Sequence, residues 1–365
     1  MKKLRESPQK LHSALCFLSG MMTVILVLVI VVGVKTKAEN TTPVNDDSRF
    51  GNQQEQQTLQ TPVQEEAQTE ENLEKWQEGV VTYRGQSYRY NNNIRTYLMM
   101  GIDKDEPVKK AKNYISGGQS DAMFLLVTDE EKQTLQVISI NRNTMTDIDL
   151  YDENGYSLGE LEAQICLQHA YGDGKRLSCS RTVDAVSKLF GNIPISGYLA
   201  MNMGGIPQMN DAIGGVELTV LHDVSFPKEG VELREGDVVK LSGKEAYYYL
   251  RGRDTDEFGS ATKRLRREEQ YILAYMSQLK SISGGNSAGV VDIYNSISDY
   301  LVTSVDFTSL ITQLMDYDFS EEQLYTVPGE TVLGEPIDGQ SYEEYRIDTD
   351  AMQELIMQVF YVPVQ

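Results

Sequence analysis

Three short apolar runs do most to limit the fold. Thr96 to Gly101, Ala122 to Thr128 and Leu135 to Ile140 are almost free of charge, and each is too short for an ordinary helix. Continuous apolar runs of this length fit strands covered on both faces. Helical candidates supply the cover: Leu161 to Ala170, Arg181 to Phe190, Gly205 to Ile213, Gly243 to Leu250, Thr262 to Ile282, Val290 to Leu301, Thr308 to Met315 and Thr349 to Phe360. Gly214-Gly215 closes the third of these ahead of a strand at Val216 to Val220. Tyr83 to Tyr90 alternates like a hairpin turning at Gly85-Gln86. Strands interleaved with helices predict an α/β domain of three layers, helix, sheet, helix, around a mixed central sheet. Neither a repeat nor a second linker divides residues 80–365, which read as one domain.

What precedes that domain is different in kind. Leu11 to Val34 is nearly uncharged, and about 24 residues at a rise of about 1.5 Å cross a hydrocarbon core of roughly 30 Å. Lys2, Lys3, Arg5 and Lys10 come before it, so residues 1–10 read as a cytoplasmic tail and the remainder as extracytoplasmic. Thr36-Lys37-Ala38 would suit a signal-peptide cleavage site, but the apolar stretch is longer than a usual signal core, which favours an uncleaved anchor. Residues 35–79 are acidic and rich in Gln; with little to bury, they read as a disordered stalk.

A net charge of −21 argues against nucleic acid as a partner. Against this background Arg251, Arg253, Lys263, Arg264, Arg266 and Arg267 gather in one stretch. Guanidinium groups suit phosphate, because their planar fork donates two parallel hydrogen bonds and keeps its charge. The same run could equally be a solvated face balanced by Asp254, Asp256, Glu257, Glu268 and Glu269. Asp103 stands just past one strand and Asp121 just before the next, where they could share a hard cation such as magnesium or simply cap turns. Arg142 follows the third apolar run, at the strand mouth where α/β folds place ligands; an ion pair with Asp147 is the alternative. Cys16 lies in the apolar span. Cys166 and Cys179 lie on the outer side, where a disulfide and two buried thiols are both open. Neither a zinc spacing, a nucleophile elbow nor a phosphate loop occurs, and His169 reads as a packed or capping residue.

Several segments, in order, resemble the LytR–CpsA–Psr family. Leu98-Met99-Met100-Gly101-Ile102-Asp103 is similar to its first strand and aspartate, Ser120-Asp121 to its Arg-Ser-Asp, and Ser139 to Thr144 to its Ser-Ile-Pro-Arg-Asp-Thr. Ala170-Tyr171-Gly172 resembles its Ala-Tyr-x-Gly-Gly, and Asp211 to Val216 its Asp-x-(Leu/Ile)-Gly-Gly-Val. Leu241 to Ala246, Tyr249 to Arg253 and Arg264-x-x-Arg267 complete the match, which covers about residues 80–279.

The resemblance implies a membrane-anchored enzyme of a Gram-positive-type envelope. Its reaction would move a teichoic-acid-like or capsular glycopolymer from a polyprenyl-diphosphate carrier to a peptidoglycan sugar hydroxyl. It also implies magnesium, or manganese in its place, on Asp103 and Asp121, and diphosphate contacts from Arg142, Arg251, Arg253, Arg264 and Arg267. Asp121, Arg142 and Arg251 would be catalytic, and the lipid would lie in an apolar tunnel between sheet and helices. The chain departs from the pattern at Gln119, where the family has arginine, at Asn141 and Asn143 around Arg142, and at Ser260 to Lys263, where an acid is lost. These departures keep two other readings in play: a surface protein that binds lipid-linked glycans or regulates envelope assembly without transfer, and a diphosphatase.

Overall fold

The computed structural model describes residues 79–254, 257–283, 288–317, 319–335 and 341–364. The expected tail, membrane anchor and nearly all of the stalk lie outside the described residues. Among those described, no helix is long and apolar enough to cross a membrane.

The three apolar runs are the middle of the structure. They form β1 (Ile94–Ile102), β2 (Ser120–Asp129) and β3 (Thr134–Ile140), which later elements extend with β4 (Gly197–Asn202), β5 (Leu301–Thr303) and β6 (Leu324–Thr326). The sheet order is β5-β4-β1-β2-β3-β6. β2 runs antiparallel to both β1 and β3, whereas β4 lies parallel to β1 and β6 parallel to β3. The sheet is therefore mixed, as expected. Leu98 faces Leu125 across β1 and β2, and Leu125 faces Ile138 across β2 and β3.

Side chains alternate across the sheet, so each apolar run feeds two cores. Leu98, Met100, Met123, Leu125 and Ile138 pack under α1 (Arg176–Leu189) and α7 (Thr349–Phe360). Phe124, Leu126, Val137 and Leu199 turn the other way, onto Leu265 of α4 (Ser260–Ser283) and Leu310 and Leu314 of α6 (Phe307–Asp316). Leu125 and Ile138 are fully buried, and each such side chain contributes about 2–3 kcal/mol. A third core joins α2 (Ile206–Ala212), α3 (Gly243–Arg251) and α5 (Ala288–Ile297) to the inner side of α4.

Local chemistry sets the helix that aims the arginines. Ser242 accepts from the Glu245 amide while the Glu245 carboxylate accepts from the Ser242 amide at 2.8 Å, a capping box that starts α3. Gly252 ends it, and the chain carries Arg251 and Arg253 out of the last turn.

Three expectations are corrected. The first hairpin turns at Arg84-Gly85, one residue earlier than expected, because both residues adopt positive φ. Leu161 to Ala170 is not an α-helix: Ser157–Gln164 pairs with Met145–Tyr151, and only Ile165–Ala170 coils, as a 3-10 turn. Val290 to Leu301 ends as a helix at Ile297, since Leu301–Thr303 joins the sheet edge beside Met201.

Candidate functional site

Strand ends assemble the site. Pairing of β1 with β2 shifts at Gly101/Ile102, and Asp103 emerges there. The Asp103 carboxylate accepts the Gln119 amide at 2.7 Å, and the Asp103 amide donates to the Gln119 carbonyl at 3.0 Å. This clamp sets Asp103 beside Asp121. Gly118 makes the approach possible: its φ is +90°, and a Cβ there would fall 2.9 Å from Asp103 Oδ1.

Asp121 is the hub. Arg142, on the turn after β3, brings Nε to 2.9 Å from Asp121 Oδ1. Arg264, from the first turns of α4, brings Nη1 to 3.1 Å from Oδ2 and donates Nη2 to the Asp121 carbonyl at 2.9 Å. Arg142 also donates to the Gln119 side chain and, at 3.2 Å, to Cys166 Sγ. Asp147 is not its partner. Gln119 thus steadies an arginine in place of supplying one.

Electrostatics follow from this crowding. Burial works to raise the Asp121 carboxyl, but Arg142, Arg264 and Arg253 outweigh it and hold it below the usual range. Burial, then the Asp121 charge, raises Asp103. Burial opposes the Arg142 charge, yet Asp121 more than restores it. Arg253 is pushed down to about 10 by burial and by its like-charged neighbours Arg142 and Arg264. Three guanidiniums therefore surround Asp121, with the Asp103 carboxyl beside it.

The other expected arginines have different surroundings. Arg251 pairs with Asp105 and the Tyr247 hydroxyl, and its side chain is 37% exposed, at the outer rim. Arg267, expected to contact the diphosphate, is turned to backbone carbonyls. It is 4% exposed and its guanidinium donates to the Tyr249 carbonyl at 2.8 Å and to the Gly252 carbonyl. It ties α4 to the end of α3 and so holds the turn that presents Arg251 and Arg253. As expected from their spacing, Arg264 and Arg267 share the inward face and Arg266 points elsewhere, to Glu269 at 3.0 Å.

The disulfide alternative is also corrected. Cys166 and Cys179 are free and buried; Cys166 turns to Arg142, whereas Cys179 lies 3.8 Å from His169 Nε2. His169 is packed, with Nδ1 2.9 Å from the Gly118 carbonyl, and burial lowers it to about 4.

An apolar cavity of about 190 Å³ opens between the sheet and α2, α4, α5 and α6, with Gly101 and Ala122 in its floor. Among its lining residues Glu268 is the single charged one. Glu268 Oε1 lies 3.3 Å from Arg264 Nε, so the cavity and the arginine cluster meet at this residue. In the sequence Glu268 reads merely as balancing charge. Its spacing from Leu265, Tyr271 and Tyr275 puts it on the buried stripe of α4, and that was the available signal.

No group of three or more His, Cys, Asp or Glu side chains gathers for a metal among the described residues. A cation here would be held by Asp103 and Asp121, with ligand oxygens completing its shell. All-oxygen donors and mutually strained carboxylates fit magnesium or manganese.

A mixed α/β sheet thus carries an aspartate ringed by arginines beside an apolar cavity. The chain belongs to the LytR_cpsA_psr family, whose model matches residues 45–359. It is 29% identical over 194 residues to the polyisoprenyl-teichoic acid–peptidoglycan teichoic acid transferase TagU of Halalkalibacterium halodurans, covering 53% of this chain and 56% of that protein. It is 25% identical over 229 residues to the TagU of Enterococcus faecalis, covering 62% and 67%. The crystal structure of B. subtilis TagV superposes with a TM-score of 0.56 at 21% identity, over 73% of this chain and 96% of that one. The chain matches a little over half the length of the first relative and about two-thirds of the second.

Proposed function

We propose that this protein is a glycopolymer phosphotransferase. It takes a teichoic-acid-like or capsular polymer from a polyprenyl-diphosphate carrier and joins it to a peptidoglycan sugar hydroxyl, outside the cytoplasmic membrane. One observation carries the reading: Arg142, Arg253 and Arg264 crowd Asp121 at the mouth of an otherwise uncharged apolar cavity. A cationic head site on an apolar shaft matches a ligand with a diphosphate head and a hydrocarbon tail. The names of the relatives support the polymer and the acceptor.

Phosphoryl transfer needs charge neutralisation and alignment more than covalent help. Arg142 and Arg264 are fixed by Asp121 before ligand arrives, so they reorganise little. Arg253 gains most from a diphosphate, since its charge is the least compensated. Arg251 at the rim suits the glycan-side phosphate. Magnesium on Asp103 and Asp121 would neutralise the diphosphate further.

The test uses full-length protein in detergent, a short-chain polyprenyl-diphosphate glycan and peptidoglycan oligomers, with products followed by mass spectrometry. The expected product is a glycan–peptidoglycan phosphodiester, dependent on magnesium and lost in Asp121→Ala and Arg251→Ala. Free phosphorylated glycan alone identifies a diphosphatase. Tight binding without product identifies a binding protein.

A further inference from the structure

Asn143 is an amide where the resembled pattern has a carboxylate, and its contacts lead to a part of the chain outside the motifs that carry the resemblance. There β7 (Gly329–Leu333) and β8 (Glu343–Ile347) form an antiparallel hairpin. The Tyr345 amide of β8 donates to the Asn143 carbonyl at 2.8 Å, and Thr144 forms a parallel bridge with Tyr345. The hairpin is thereby joined to the turn that carries Arg142. It also reaches the start of α4. Thr331 Oγ1 lies 3.2 Å from Thr262 Oγ1, which accepts from Asn141 Nδ2 at 3.2 Å.

Glu343 stands where these contacts meet. One carboxylate oxygen accepts the Gly259 amide at 2.6 Å, and the other accepts from Asn143 Nδ2 at 3.3 Å. Its own carbonyl accepts from Gln164 Nε2 at 2.7 Å, which fixes the backbone from which the carboxylate reaches. Gly252 follows α3 and Gly259 precedes α4, with Arg253 between them. Arg267 holds Gly252 and Glu343 holds Gly259, so Arg253 rides on a connection tied at both ends.

We propose that Glu343 is a positioning residue of the phosphate site. Its carboxylate braces the connection that bears Arg253 against the turn that bears Arg142, and supplies from the hairpin the carboxylate that Asn143 lacks. Two cations must meet two phosphates at fixed separation, so the bracing acts through geometry. Charge alone predicts the opposite sign. The Glu343 charge reaches Arg253, where it works against the lowering by burial, Arg142 and Arg264. Removing a carboxylate beside an anion site should tighten anion binding if charge were its whole role. Removing a brace should weaken it.

The proposal rests on the proposed reading of the arginine cluster as a diphosphate site, and its test separates the two. Full-length protein in detergent is titrated with inorganic diphosphate in a calorimeter. Glu343→Ala should bind about tenfold more weakly than wild type. Glu343→Gln, which still accepts the Gly259 amide, should bind at least as tightly as wild type. Asn143→Asp sets a second carboxylate against Glu343 and should weaken binding. Asn143→Asp combined with Glu343→Gln exchanges carboxylate and amide, keeps both hydrogen bonds, and should restore wild-type affinity. A merely structural role would lower Tm and leave the affinity of the folded protein unchanged. Unchanged or tighter binding by Glu343→Ala, a Glu343→Gln as weak as Glu343→Ala, or an exchanged pair as weak as Asn143→Asp overturns the proposal while the diphosphate site stands. If Glu343→Ala fails to fold, Asn143→Asp and the exchanged pair decide. A wild type that binds no diphosphate overturns the site and the brace together.

Discussion

Arg253 is the residue whose function and stability pull hardest in opposite directions, and Arg253→Met separates them. Methionine keeps most of the packed stem and removes the charge. Burial, Arg142 and Arg264 lower the Arg253 guanidinium from its ordinary 12.5 to about 10. Each tenfold weakening of its hold on the proton corresponds to about 1.4 kcal/mol, so the folded state bears about 3 kcal/mol of unfavourable charge. Lost contacts reduce the gain, and about 2 kcal/mol should remain, or about 3 °C in Tm for a domain this size. The sign is definite. A cation whose folded pKa is lowered destabilises the fold at full strength at neutral pH, and the cost is released only as pH rises above about 10. Thermal unfolding followed by circular dichroism, with and without inorganic diphosphate, is the assay. Wild type should gain a ligand-induced rise in Tm. The variant should start higher and show little further rise. A variant that melts below wild type, or that keeps the full ligand shift, would refute the idea that uncompensated charge at Arg253 is what draws the diphosphate.

Other outcomes follow from the same geometry. Arg267→Met strands the Tyr249 and Gly252 carbonyls and should cost about 2–5 kcal/mol in urea unfolding, with diphosphate affinity falling through misplacement of Arg253. Gly118→Ala forces a side chain onto Asp103 at positive φ; it should lower stability by about 1–3 kcal/mol and weaken the response to magnesium in a titration. Two buried groups should shape the pH dependence of unfolding. His169, lowered to about 4, withholds a proton that the unfolded chain takes up, so its own contribution falls by about 1.4 kcal/mol for each pH step of one as pH drops from 6.5 toward 4, a fall that Glu268 offsets in wild type down to about 4.5. Glu268, raised to about 8, keeps a proton that the unfolded chain releases, so its stabilisation is whole below 4.5 and is lost as pH climbs to 8. Glu268→Gln should flatten that second slope and leave the first.

The sheet was legible because continuous apolar runs leave a strand no exposed side, and Met123 and Phe124 did turn to opposite cores. The strand-end positions of Asp103, Asp121 and Arg142 were legible for the same reason, since strand ends gather at one edge of a sheet. The fate of Arg267 was not. Helical spacing puts Arg264 and Arg267 on one face, but which finds a carboxylate and which finds backbone carbonyls depends on where α3 ends, and no local pattern states that. Leu161 to Ala170 failed similarly: its partner strand Met145–Tyr151 lies outside the local window and overrode helical spacing. Glu268 is easily misread because an acid beside arginines looks like balance on a surface, whereas burial of the whole stripe alters its meaning.

The two sides of the sheet differ in one respect that matters after the chemistry. One side is packed under α1 and α7, while the other holds a cavity of about 190 Å³. Filling a space of that size with hydrocarbon is worth on the order of 5 kcal/mol at about 24 cal/mol per Å³. A hydrocarbon tail that fills it returns much of that, so the loaded molecule is the tighter solid and the unloaded one the softer. Under the proposed transferase function, each departing lipid would leave one flank of the sheet slack until another stiffened it.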